Sequence, residues 1–133
     1  MQVQEGEGWR LAVDPSRQPF PVLVGGSGWG VELTASEARA LRLGVERLVQ
    51  EHRGLEGMLL EEEAIELELE LELEPGCLWL ALEGDRRRWS LRFVLTPAPH
   101  QRAVEGAWLP PASEAMAAAL AVASPFSDGA ALR

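Results

Sequence analysis

From Ile65 to Glu74 every other residue is apolar and every residue between is glutamate. Ile65, Leu67, Leu69, Leu71 and Leu73 would spiral round all sides of a helix, whereas period two lays them along one sheet face. Leu and Glu are good helix formers, but the pattern outweighs the propensity and predicts a strand with one buried and one solvated face. A two-residue turn at Pro75-Gly76 sets Leu73 opposite Leu78, Glu72 opposite Trp79, Leu71 opposite Leu80 and Leu69 opposite Leu82. A second turn at Asp85-Arg86 sets Glu83 opposite Arg88, Leu82 opposite Trp89, Leu80 opposite Leu91 and Leu78 opposite Phe93. Both registers keep apolar residues on one face, as they must where that face is buried. Trp79 then lies on the Glu-bearing face near Arg92 and Glu72, and Trp89 is buried with Leu82.

The remaining segments extend this meander. Trp9-Arg-Leu-Ala-Val13 and Trp29-Gly-Val-Glu-Leu33 alternate as half-buried strands, with Pro21 to Val24 a third between them. Thr34-Ala-Ser-Glu37 has the form of a capping box. Ala38, Leu41, Val45, Leu48 and His52 then recur at helical spacing to about residue 53, and Gly54 is the expected stop. A strand over about Arg102 to Trp108 follows the turn Thr96-Pro-Ala-Pro-His100, and Pro110-Pro111 opens an Ala-rich helix from about Ala112 to Ala123. A faint repeat pairs Trp9-Arg-Leu-Ala-Val13 with Trp89-Ser-Leu-Arg-Phe93, and Ala35-Ser-Glu-Ala38 with Ala112-Ser-Glu-Ala115. The expected fold is α+β, about seven antiparallel strands and two helices in the order βββ-α-ββββ-α, each half being strands followed by a helix. Residues 1–123 form the single domain, and residues 124–133 a flexible C-terminal tail.

No catalytic, cofactor-binding or metal site is expected. Gly25-Gly-Ser-Gly-Trp-Gly30 is followed by a strand, not by the helix that a phosphate cradle needs, and reads as a hairpin turn. His52 ends an apolar helical stripe, where packing is the ordinary role, and His100 sits in a Pro-rich turn. Lys and Tyr are absent, the seven Ser form no nucleophile elbow, and Cys77 lies inside a strand without a metal-ligand partner. The Glu ladder comes from one segment, whereas calcium and magnesium sites draw oxygens from several, so it reads as a solvated face.

Charge narrows the partner class. Eight of the 21 acidic residues lie between Glu61 and Glu74, and the rest of the chain, with its 12 Arg, is close to neutral. A net charge of −9 disfavours nucleic acid, whose affinity rests on neutralised phosphates. Arg86-Arg87-Arg88 is the one basic cluster. With Trp79 and Arg92 it makes the candidate binding surface, where stacking and phosphate contacts could combine. The N-terminus carries no export signal, no segment is long and apolar enough to span a bilayer, and one cysteine suits a reducing compartment. A cytoplasmic protein without a membrane partner, a monomer or small homo-oligomer, is expected.

Glu5-Gly-Glu-Gly-Trp-Arg10, Phe20-Pro-Val-Leu-Val-Gly-Gly26, Trp29, Val31-Glu-Leu-Thr34, Leu78-Trp-Leu-Ala-Leu-Glu-Gly84, Trp89-Ser-Leu-Arg-Phe93 and Val104-Glu-Gly-Ala-Trp108 together resemble the cyanobacterial family known as domain of unknown function 1818. The resemblance implies a fold similar to the single-stranded-DNA-binding transcriptional regulators of the Whirly type, with two strand-then-helix halves. It implies no activity, since fold analogy does not transmit one. The expected function is a non-enzymatic binding or regulatory module that recognises a protein partner. The alternative is a single-stranded nucleic-acid-binding, transcription-regulator-like protein, and the Glu ladder departs from the basic surface such a protein needs.

Overall fold

In the computed structural model, which describes residues 1–123, two antiparallel four-stranded sheets are each followed by a helix. The first sheet holds β1 (Gln2–Gly6), β2 (Trp9–Val13), β3 (Val22–Gly26) and β4 (Trp29–Leu33), and leads into α1 (Ala35–Leu55). The second holds β5 (Ile65–Glu72), β6 (Cys77–Gly84), β7 (Trp89–Thr96) and β8 (Val104–Trp108), and leads into α2 (Ala112–Val122). The order ββββα therefore occurs twice, and each sheet runs in chain order. The predicted tail, 124–133, lies outside the described residues.

One strand escapes the sequence reading. β1 is an exposed edge strand, Gln-Val-Gln-Glu-Gly, whose polar side chains give no apolar period. Its signal is the turn. Gly6-Glu-Gly-Trp9 and Gly26-Ser-Gly-Trp29 are the same motif, and each closes a hairpin in which the first Gly pairs with the Trp. The third position needs a positive φ, 81° at Gly8 and 80° at Gly28, which Gly adopts without steric cost.

Both predicted hairpins of the second sheet keep the expected faces but are two residues out of register. Leu71 pairs with Leu78, Glu70 with Trp79, Leu69 with Leu80 and Leu67 with Leu82. On the other side Leu82 pairs with Leu91, Leu80 with Phe93, and Trp89 with Gly84. A two-residue slip preserves which side chains face the core, so burial fixes the parity and the turns fix the rest. At the first turn the Leu73 amide donates to the Gly76 carbonyl at 2.8 Å, making Glu74-Pro75 the centre. Gly76 serves instead as a point of close approach, where a Cβ would collide with the Thr96 carbonyl. At the second turn the Asp85 carboxylate accepts the amides of Arg87 and Arg88, both at 2.8 Å, which moves the tip to Arg86-Arg87.

The capping box forms: the Glu37 amide donates to Thr34 Oγ1 at 3.2 Å and the Thr34 amide to the Glu37 carboxylate at 2.8 Å. Ala38, Leu41, Val45, Leu48 and His52 are the buried stripe of α1. Gly54 does not stop the helix. Its φ is not positive, and the chain stays right-handed through Glu56 into a 3₁₀ turn over Glu56–Met58. β8 begins at Val104, two residues after the predicted start.

The core lies between the inner faces of the sheets and the two helices. It joins Leu11, Val13, Val22 and Val24 of the first sheet to Leu78, Leu80, Leu82, Leu91, Phe93 and Leu95 of the second, with Leu41, Leu48, Met116 and Leu120 from the helices. Trp29, Phe93 and Trp108 stack where the sheets meet, with ring centroids 5.3 to 6.0 Å apart. Trp29 lies over Gly106, where a Cβ would collide with its ring. The Trp108 Nε1–H donates to the Gly25 carbonyl at 2.8 Å, a buried bond from one sheet to the other.

Candidate functional site

The second sheet turns its leucines toward α1, where Gly44 leaves room for Leu80 and Leu71, and its glutamates away from it. On that outward face Trp79 stands opposite Glu70 of β5 and Val94 of β7, and Val94 in turn stands opposite Glu105 of β8. Arg92 faces Ala81 on one side and Ala107 on the other. Two methyl neighbours leave its long side chain free to lie diagonally across the sheet, and its guanidinium stands 5.0 Å from the Trp79 ring centroid. Ala81, between Glu68 and Arg92 on this face, is only 3% exposed. The outcome is a half-buried indole roofed by a guanidinium, with the carboxylate of Glu70 on one side and Val94 on the other.

Like charges also meet on this face. Glu66 stands directly opposite Glu83, and the hydrogen bond between the two carboxyl groups pushes the Glu66 pKa up, with smaller contributions from burial and from Glu68. Two carboxyl groups facing each other across one strand pair are an unfavourable arrangement of like charges.

The structure brings Trp79 and Arg92 together and sets Arg86, Arg87 and Arg88 apart from them. Five residues of strand, about 17 Å, separate Trp79 from Gly84 at the base of the arginine tip. The tip is closed by the Asp85 carboxylate, whose pKa the amides of Arg88 and Arg87 hold below the usual range. It is tied to α1 by His52, whose buried Nε2–H donates to the Asp85 carbonyl at 2.9 Å while the ring packs against Trp89. Arg87 meets Glu61 at 3.4 Å. Below the tip a cleft of about 450 Å³ opens between the two helices, lined by His52, Arg53, Arg86, Trp89 and Glu114 among others. His52 thus serves packing and anchoring. His100 is exposed in its loop at φ 70°, and Cys77 is half-buried on β6 opposite Glu72 and Thr96.

Among the described residues no three His, Cys, Asp or Glu side chains converge as a metal site would require. No helix among them is long and apolar enough to cross a membrane. Sequence reading missed Glu105 and Val94 as members of the outward face, and set Glu83 there opposite Arg88 where the structure pairs it with Ser90. The available signal was their parity with Trp79 along β6, β7 and β8, and only the register assigns their neighbours.

A structure of a protein of unknown function assigned to the DUF155 family, from Prochlorococcus sp. NATL2A, is similar along nearly its whole length. Identity is 33%, the alignment covers 91% of this chain and 97% of that one, and the TM-score is 0.80. No curated protein matches the chain. The family described as domain of unknown function (DUF1818) matches residues 4–123, through both sheets and both helices, and the chain belongs to that family.

Proposed function

We propose that the chain is a non-enzymatic binding module that recognises a protein partner through the outward face of its second sheet. The observation that carries this is the Trp79–Arg92 stack, an aromatic side chain held half-exposed at the centre of a sheet face that no helix among the described residues covers. Trp, Tyr and Arg are enriched among the side chains that dominate protein interfaces. The carboxylates of Glu66, Glu68, Glu70, Glu83 and Glu105 around them suit a partner with a basic surface.

Single-stranded nucleic acid is the second reading. It draws support from the twofold ββββα order, in keeping with the fold that the family resemblance implies, and from the arginine tip. Against it stand the distance between tip and Trp79 and the carboxylates beside the only roofed aromatic on the face. Affinity capture with wild type, Trp79→Ala and an Arg86/Arg87/Arg88→Ala triple variant, scored for protein and nucleic acid together, separates the two. The expected result is a protein ligand lost with Trp79→Ala and retained by the triple variant. Submicromolar binding of wild type to a single-stranded oligonucleotide, lost in the triple variant with a salt slope flattened by about 0.7 per phosphate contact, would overturn the first reading.

A further inference from the structure

β5 is an edge strand of eight residues, paired with β6 on one side. Among the described residues no hydrogen bond engages the amides and carbonyls of its other side. Its apolar ladder is also open. On β6, Leu78, Leu80 and Leu82 are 2%, 0% and 0% exposed, while their partners Leu71, Leu69 and Leu67, one strand out, are only half-buried. A groove of about 550 Å³ runs between β5 and α1, lined by Leu69, Glu68, Arg47, Gln50 and Glu51. Leu43, 44% exposed, lies one helical turn before Arg47 on the same stripe of α1. Native proteins rarely leave so long an edge unpaired beside apolar side chains, since it is a template for another strand.

The alternation selects the strand that fits. Leucine and glutamate alternate strictly, so any register that sets a second copy's leucines beside these also sets glutamate beside glutamate. Self-pairing therefore aligns rows of like charge and is repelled. A strand with apolar residues at every second position and Lys or Arg between them covers the leucine ladder on one face and neutralises Glu66, Glu68, Glu70 and Glu72 on the other. Glu66 also stands opposite Glu83, so like charges already face each other at that end of the sheet.

We infer that the free edge of β5 docks an extended segment of a partner protein in which apolar residues alternate with Lys or Arg, added as a fifth strand of the second sheet. This rests on the reading that the Glu-bearing face recognises a protein. The test uses the full chain and four labelled peptides, each as long as β5: alternating Lys and Val, the same composition with all Lys before all Val, and the alternating sequence N-methylated either at every Lys or at every Val. Fluorescence anisotropy should show the alternating peptide binding at least about tenfold more tightly than the block peptide and than at least one N-methylated phase. Hydrogen exchange should slow at alternate amides of β5, and a Glu68→Gln/Glu70→Gln variant should bind more weakly with a flatter salt dependence. Equal binding of all four peptides would overturn edge docking and leave recognition by charge on the outward face intact. Absence of binding by the alternating peptide, or a stable dimer in sedimentation equilibrium that protects β5, would also overturn it. Failure of the parent reading shows separately, as a captured protein indifferent to Trp79→Ala.

Discussion

Replacing Trp108 by Phe tests how the two sheets are held together. Trp108 is 1% exposed, and its Nε1–H donates to the carbonyl of Gly25, a buried residue of the other sheet. Phe keeps a six-membered ring against Trp29 and Phe93 but has no donor. A buried carbonyl left without its partner costs about 1–3 kcal/mol. The smaller ring also gives up a few buried heavy atoms and leaves part of their volume empty, about 1 kcal/mol more. The sum, about 2–4 kcal/mol, is a large share of the roughly 5–15 kcal/mol that stabilises a domain, and implies a Tm lowered by on the order of 10 °C. Urea unfolding followed by far-UV circular dichroism should show the midpoint falling with the m-value unchanged, since the surface exposed on unfolding hardly differs. Trp79→Phe, on the outward face, is the control and should cost under about 0.5 kcal/mol. If Trp108→Phe costs no more than this control, the indole does not tie the sheets and the argument fails.

Leu69→Glu should destabilise by about 1–3 kcal/mol, less than a fully buried leucine would, because the edge position is half-buried, while Glu70→Leu should stay within about 0.5 kcal/mol; equal thermal shifts would contradict the alternating strand. In single-Trp variants acrylamide should quench Trp79 more strongly than Trp89, which is 9% exposed, and the reverse order would invert the assigned faces. Glu66 has a raised pKa in the folded state, so its protonated form is stabilised there and its contribution, present in acid, is lost as pH rises through that value. Glu66→Gln should accordingly raise Tm near about pH 7 and lose that advantage below about pH 4; a difference independent of pH would refute the carboxyl pair.

Legibility of this chain followed the range over which each signal acts. Period two from Ile65 to Glu74, the helical stripe from Ala38 to His52 and the Thr34–Glu37 box are local patterns, and each is expressed as written. Trp79 faces outward with Arg92 because parity is set by which side of a strand is buried, and parity survives an error of two residues. The register did not survive it, because it depends on whether Gly76 turns the chain or passes close to Thr96, and on where the Asp85 carboxylate finds its amides. β1 was hidden for a related reason: a polar edge strand buries little and writes no apolar period, so its evidence lay in a turn motif that repeats twenty residues later.

By itself the sequence determined every element but β1, their faces and the charge of the outward sheet, since these follow from side-chain chemistry acting within one strand or one helix turn. Tertiary structure alone decided the rest. It set the arginine tip about 17 Å of strand away from Trp79, bound the tip to buried His52, joined the sheets through Trp108 and Gly25, and left one edge of β5 unpaired among the described residues. Those features arise from contacts between residues far apart in the chain, and such contacts are fixed by how whole elements pack, which no local pattern encodes.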